Sequence, residues 1–207
     1  MALKKTVDTW KLKTWYSIIA PKFLNEAKVG DVPVIEDKNL INRTIAVPLK
    51  EVTKNLNHLN ISLKLRITEI RGKNAYTKFI GHEVAREGIK QLIRRGRDAL
   101  EVVIDTTSKD GLDFRVKAVI VTQMNSSKKK KVELRKIIVE QLKKMTTSKD
   151  MGAFIMDCFS GKNASELYGI SKKIVPIKKV EIRKTELKEV FDTEEDKKKE
   201  ELKIAVE

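Results

Sequence analysis

Three groups of residues have types and spacings that bear on chemistry. Arg86, Lys90 and Arg94 stand at i, i+4 and i+8 of a stretch that reads as a helix from Val84 to Arg95, Arg95 adds charge at its last position, and Arg97 carries the charge past its end. That spacing puts the row on one face. Guanidinium groups engage phosphate oxygens in pairs. Glu87 is the one acid in the row, and Ile89, Leu92 and Ile93 form an opposed apolar stripe, so the row reads as a phosphate-contacting face. The second group is Lys128, Lys129, Lys130 and Lys131 with Arg135 and Lys136, at the start of a helix expected from Lys128 to about Met145. Between Lys128 and Lys144 there are eight bases and two acids. The third is His82 beside Glu83. Neighbours on a strand point to opposite faces, so these two make a poor acid–base dyad.

Other chemistry is thinly represented. Cys158 is the single cysteine, which provides neither a disulfide framework nor a cysteine-ligated zinc site and fits a reducing compartment. No GxxxxGK[ST] loop occurs. His58 falls in a polar loop. The expectation is a chain that is not an enzyme, with no cofactor, metal or small-molecule substrate.

The elements that must position the basic rows centre on Leu59 to Thr122. Leu59, Ile61, Leu63, Leu65 and Ile67 alternate with Asn60, Ser62, Lys64, Arg66 and Thr68, which predicts a strand with one buried face. Arg71-Gly72-Lys73-Asn74 supplies a turn, and Ala75–His82 returns as the partner strand. A second hairpin, Ala99–Thr107 and Leu112–Thr122, closes around Asp110-Gly111. Val29–Ile35 and Arg43–Leu49 read as further strands. Leu134, Ile138, Leu142 and Met145 recur at helical spacing. A helix follows through Met151, Phe154, Ile155, Cys158 and Phe159, then a short one from Asn163 to Lys173, then a strand from Ile174 to Lys184. The pattern predicts an α+β fold with an extended basic N-terminal arm.

That arm, residues 1–28, carries Lys4, Lys5, Lys11 and Lys13 among few acids, and both tryptophans. Trp10, Trp15 and Tyr16 are candidates to stack on bases or to pack. The arm is expected to be disordered alone, over roughly the first 20 residues, and to order on its partner. Residues 29–190 form the expected α+β domain and 191–207 an acidic tail. Net charge is +15 over 207 residues, and without the tail there are 40 bases against 22 acids. A surplus of that size points to a polyanion. Neither a signal peptide nor an apolar run of membrane-spanning length is visible, so no membrane is expected and the cytoplasm is.

Ordered segments then carry a resemblance. They are KKTVDTWKLKTWYSIIAPKFLNEAKVGD at 4–31, LINRTIAVPLKEV at 40–52, ISLKLRITEIRGKNAYTKFIGHE at 61–83 and IRRGRDALEVVIDTTSKDGLDFRVKAVIVT at 93–122, followed by the stretches Leu167–Ile174 and Val180–Leu187. In order and spacing the chain resembles the S-three-A-e small-subunit ribosomal protein family of archaea and eukaryotes, as an archaeal-type member. The resemblance implies an antiparallel, barrel-like β core with flanking helices, and a structural constituent of the small ribosomal subunit with a role in translation, binding small-subunit rRNA on the platform near the mRNA exit. Its partners would be that rRNA, neighbouring small-subunit proteins and mRNA near the exit. The alternative is a ribosome-free RNA-binding or protein-docking adaptor. Expected RNA contacts, added to those above, are Lys73, Lys78, Lys172, Lys173, Lys178, Lys179, Arg183 and Lys184.

Overall fold

The computed structural model describes Trp10 and residues 12–188. The expectations placed on Lys4, Lys5, Lys11 and the tail at 191–207 lie outside the described residues. Eight strands form one sheet: β1 (Thr14–Ile19), β2 (Lys28–Val34), β3 (Thr44–Pro48), β4 (Ile61–Arg71), β5 (Asn74–Val84), β6 (Ala99–Thr107), β7 (Asp113–Thr122) and β8 (Ile177–Leu187). Among the described residues five α-helices accompany them: α1 (Leu49–Thr53), α2 (Arg86–Leu92), α3 (Lys128–Ser148), α4 (Met151–Phe159) and α5 (Lys162–Ser171).

The long strand β5 is the junction. One edge carries β4 along almost its full length. The other edge carries β1 at its start, where Ser17 faces Asn74, and β8 at its end, where Gly81 faces Glu186. The order is therefore β2-β1-β5-β8-β7-β6, with β4 and then β3 on the far side of β5. The expected antiparallel barrel is corrected on two counts: the sheet is open, and the β1–β5 pair is parallel.

Period-two alternation explains the two faces. Leu100, Val102 and Ile104 on β6, Phe114, Val116, Ala118 and Ile120 on β7, and Leu63 and Leu65 on β4 enter one core with Leu134, Ile138 and Leu142 of α3 and Phe154 and Ile155 of α4. The β4–β5 turn follows expectation, with Gly72 at φ +62° where a side chain would be strained. Gly81 has a different role. A Cβ there would lie 2.1 Å from the Thr185 carbonyl oxygen, so only glycine lets β5 approach β8 at this point.

Several boundaries move. The expected loose arm includes residues 14–28. Thr14–Ile19 is instead a strand hydrogen-bonded on both edges, with Ile18 buried, and the expected boundary at 28/29 falls inside β2. Backbone pairing supplies what the sparse hydrophobic period did not advertise. Leu59, expected on the buried face of β4, lies in the turn before it and is exposed. The basic helix expected over 84–95 is only α2, because Ile93 is extended and the Arg97 guanidinium donates to the Leu92 carbonyl at 3.1 Å, closing the helix end. Arg94 thus leaves the row formed by Arg86 and Lys90.

Candidate nucleic-acid interface

The basic residues fall into two populations. On the sheet face opposite the main core, cations meet acids across strands. Lys64 on β4 pairs with Glu83 on β5 at 2.9 Å, Glu83 reaches Lys184 on β8 at 3.8 Å, and Lys117 on β7 meets Glu186 at 3.0 Å. Lys184 also pairs with Glu186, and Lys179 with Glu181. Arg183 binds Glu101 at 2.9 Å; Arg115 and Lys188 share Asp105 at 2.7 and 3.0 Å. The shifts follow the pairing. The hydrogen bond from Lys184 lowers the Glu186 pKa, that from Lys64 lowers Glu83, and Arg115 with Lys188 holds Asp105 far below the usual carboxylate range. The alternation that puts leucine inside puts charge outside, and cross-strand registry pairs the signs. Lys179, Arg183 and Lys184, expected to contact RNA, are thus engaged within the protein.

The second population is unpaired. Among the described residues, Arg86, Lys90, Arg94, Arg95, Lys128, Lys129, Lys130, Arg135, Lys136, Lys172, Lys173 and Lys178 are exposed and form no ion pair with an acid. Two of these groups, far apart in sequence, are brought together by Asp98. Its carboxylate accepts from the Ser126 N–H at 2.8 Å and the Ser126 hydroxyl at 3.3 Å, and pairs with Lys131 at 2.8 Å. These bonds, that from Lys131 foremost, lower its pKa. The Arg94–Arg97 turn is thereby tied to the start of α3. Lys131 is consumed in the tie, while Lys128, Lys129 and Lys136 line a shallow depression of about 460 Å³ on α3. No acid occupies the first turn of α3, and Ser127 makes no side-chain cap bond. Lysines at this positive end of the helix dipole do not serve helix stability. The sequence gives no hint that Asp98 reaches Ser126, since the bond spans 28 positions.

Of the remaining candidates, Lys73 is exposed in the β4–β5 turn and Lys78 is exposed on β5. The Lys13 ammonium sits 4.1 Å from the centre of the Trp10 ring. Trp10 and Trp15 are largely exposed and meet edge to face at 6.4 Å. Tyr16 is corrected as a stacking candidate: it is buried with Val34, Leu40, Ile67 and Ala75, and its hydroxyl donates to Asp37.

His82 is buried. Its Nε2 lies 3.3 Å from the Ile182 carbonyl and its Nδ1 2.7 Å from the Thr185 hydroxyl, which itself accepts from the His82 backbone N–H. This pattern fits a neutral ring with the proton on Nε2, and burial holds the pKa down at about 4. Glu83 faces the other way, into the ion pairs. Burial pushes the Cys158 thiol up to about 12, so it stays protonated. Among the described residues no cluster of histidine, cysteine and carboxylates could hold a metal ion, and no helix is long and apolar enough to cross a membrane.

The sheet is open, its outer face is neutralised by its own ion pairs, and unpaired cations stand on the helices and the turn beside it. Residues 2–190 match the Ribosomal S3Ae family, and the chain belongs to that family. It is 35% identical over 177 residues to the small ribosomal subunit protein eS1 of Pyrobaculum neutrophilum, covering 86% of this chain and 80% of that one. Identity to the protein of the same name from Sulfolobus acidocaldarius is 37% over 181 residues, covering 87% and 92%. With that from Sulfurisphaera tokodaii it is 33% over 180 residues, covering 87% and 93%.

Proposed function

We propose that the chain is a structural, non-enzymatic constituent of the small ribosomal subunit that binds small-subunit rRNA mainly through phosphate contacts. Membership of the family, with relatives named as small ribosomal subunit proteins, supports the coarse role. The observation that carries the RNA reading is the unpaired basic surface joined by Asp98: Arg94 and Arg95 with Lys128, Lys129 and Lys130. Arg86, Lys90, Arg135, Lys136, Lys172, Lys173, Lys178 and Lys73 extend it, and Trp10 and Trp15 offer rings for unpaired bases. Lys4, Lys5 and Lys11 add charge from the N-terminal segment. The site on the platform near the mRNA exit, with mRNA and neighbouring proteins as partners, is the expectation that the family resemblance brings.

Neutralising phosphates releases counterions, so affinity for small-subunit rRNA must fall steeply with salt. A filter-binding titration between about 50 and 200 mM salt tests this. A flat response would favour the protein-docking adaptor instead. Co-sedimentation with small subunits from lysate tests the assembly.

A further inference from the structure

A cavity of about 390 Å³ opens where α2, the α4–α5 junction and β8 meet, beside the ends of β4 and β5. Its size suits a small organic group. Neutral and apolar groups dominate its lining, and the Lys179–Glu181 ion pair supplies its acid and its lysine. Three neutral amides, Asn57, Asn60 and Gln91, stand in its lining, and none makes a side-chain hydrogen bond within the chain. Each amide offers both donors and acceptors, the complement of a base edge. Phe159 and Leu92 provide apolar walls. Phe159 is held edge-on by the His82 ring at 5.6 Å, so that wall is fixed before any ligand arrives.

The cavity does not stand alone. Ala164, Lys179 and Val180 line both it and a second depression of about 280 Å³, which adds Tyr168 and the unpaired Lys178. Lys172 and Lys173 follow at the end of α5, and Lys90 neighbours Gln91 on α2. Exposed amides set around an apolar wall, with the unpaired Lys178 in the adjoining depression, match the needs of a nucleotide whose base is turned out of its stack while its phosphates stay at the surface.

We propose that this cavity receives an unpaired base of the small-subunit rRNA, read by Asn57, Asn60 and Gln91, with the adjoining phosphate on Lys178. This rests on the rRNA-binding reading above and adds a site of base recognition to it.

The test uses the full chain and a small-subunit rRNA transcript. Base reactivity is probed at nucleotide resolution, and affinity is measured across salt. The variants are Gln91→Ala, on an exposed position, and Ala164→Trp, which fills the shared wall. Each should lose protection of the same unpaired base and bind about tenfold more weakly, with the salt slope unchanged because no phosphate contact is removed. Lys178→Ala should instead lower the slope by about one. If Ala164→Trp fails to fold, Gln91→Ala alone decides. Variants that bind and protect every base as the parent does, with a steep salt slope, overturn the cavity and leave the rRNA reading intact. Absence of salt-dependent binding by the parent overturns both. A protein segment found in the cavity in assembled subunits overturns the base assignment.

Discussion

The outer face of the sheet and the surface around the start of α3 are both rich in lysine and arginine, and they use them in opposite ways. On the sheet, Lys64, Lys117 and Lys184 each face a carboxylate on a neighbouring strand, and Arg183 reaches one on β6, two strands away. At α3, only Lys131 of four successive lysines is paired, and its partner Asp98 serves to bring the Arg94–Arg97 turn alongside. An exposed ion pair is worth about 0–1 kcal/mol, so the sheet pairs contribute little energy individually. What they do is remove free charge. Counting bases therefore overstates the binding surface, and counting bases without acids locates it.

The comparison breaks most violently if the shared frame is removed. Gly81→Ala drives a methyl group into the Thr185 backbone, at the seam where β5 carries Glu83 and β8 carries Lys184. It is expected to cost more than about 4 kcal/mol and to abolish RNA binding; chemical denaturation measures the first. An unchanged midpoint would mean that β8 does not join β5 at this register.

A finer test contrasts the two faces of one strand. Leu63 is fully buried and Lys64, the next residue, reaches the ion pairs. Leu63→Ala is expected to cost about 2–5 kcal/mol and Lys64→Ala less than about 1 kcal/mol, both read from thermal melts. Equal costs would contradict the assignment of faces.

The junction also predicts a pH response. Burial holds the folded His82 pKa at about 4 against an ordinary 6.5, so on acidification the unfolded chain takes up this proton first. Its contribution to stability is intact above pH 6.5 and is lost as pH falls towards 4, by about 3 kcal/mol. Melts across that window, with an NMR titration of the ring, check it. A ring titrating near its ordinary value would contradict the buried, neutral histidine.

The smallest effect belongs to the sheet charges. Arg183→Ala, which frees Glu101, should change RNA affinity less than about threefold, as a binding assay at fixed salt will show.

Much of the frame was legible in the sequence, because period-two alternation over Ile61–Ile67 and Leu100–Ile104 and helical spacing over Leu134–Met145 are local signals. What pairs with what was not. The strand at Thr14–Ile19 is fixed by hydrogen bonds to β2, the next strand, and to β5, far along the chain, and these leave little hydrophobic signature. The same limit applied to the site. The composition announced a polyanion, yet Arg183 and Arg94 look alike in sequence. Only the fold shows that one faces Glu101 and the other no acid. Tyr16 and Trp15 are adjacent and equally aromatic, and strand alternation buries the first and exposes the second.

The central claim is that unpaired cations, not total charge, bind the RNA. The direct measurement is the salt dependence of small-subunit rRNA binding by three proteins: the parent chain, a Lys128→Ala/Lys129→Ala/Lys130→Ala variant, and a Lys179→Ala/Arg183→Ala/Lys184→Ala variant. The account predicts that the α3 variant lowers the slope of log K against log salt by about two to three, while the sheet variant leaves it near the parent's. Equal reductions in the two variants, or a larger one from the sheet, would contradict it.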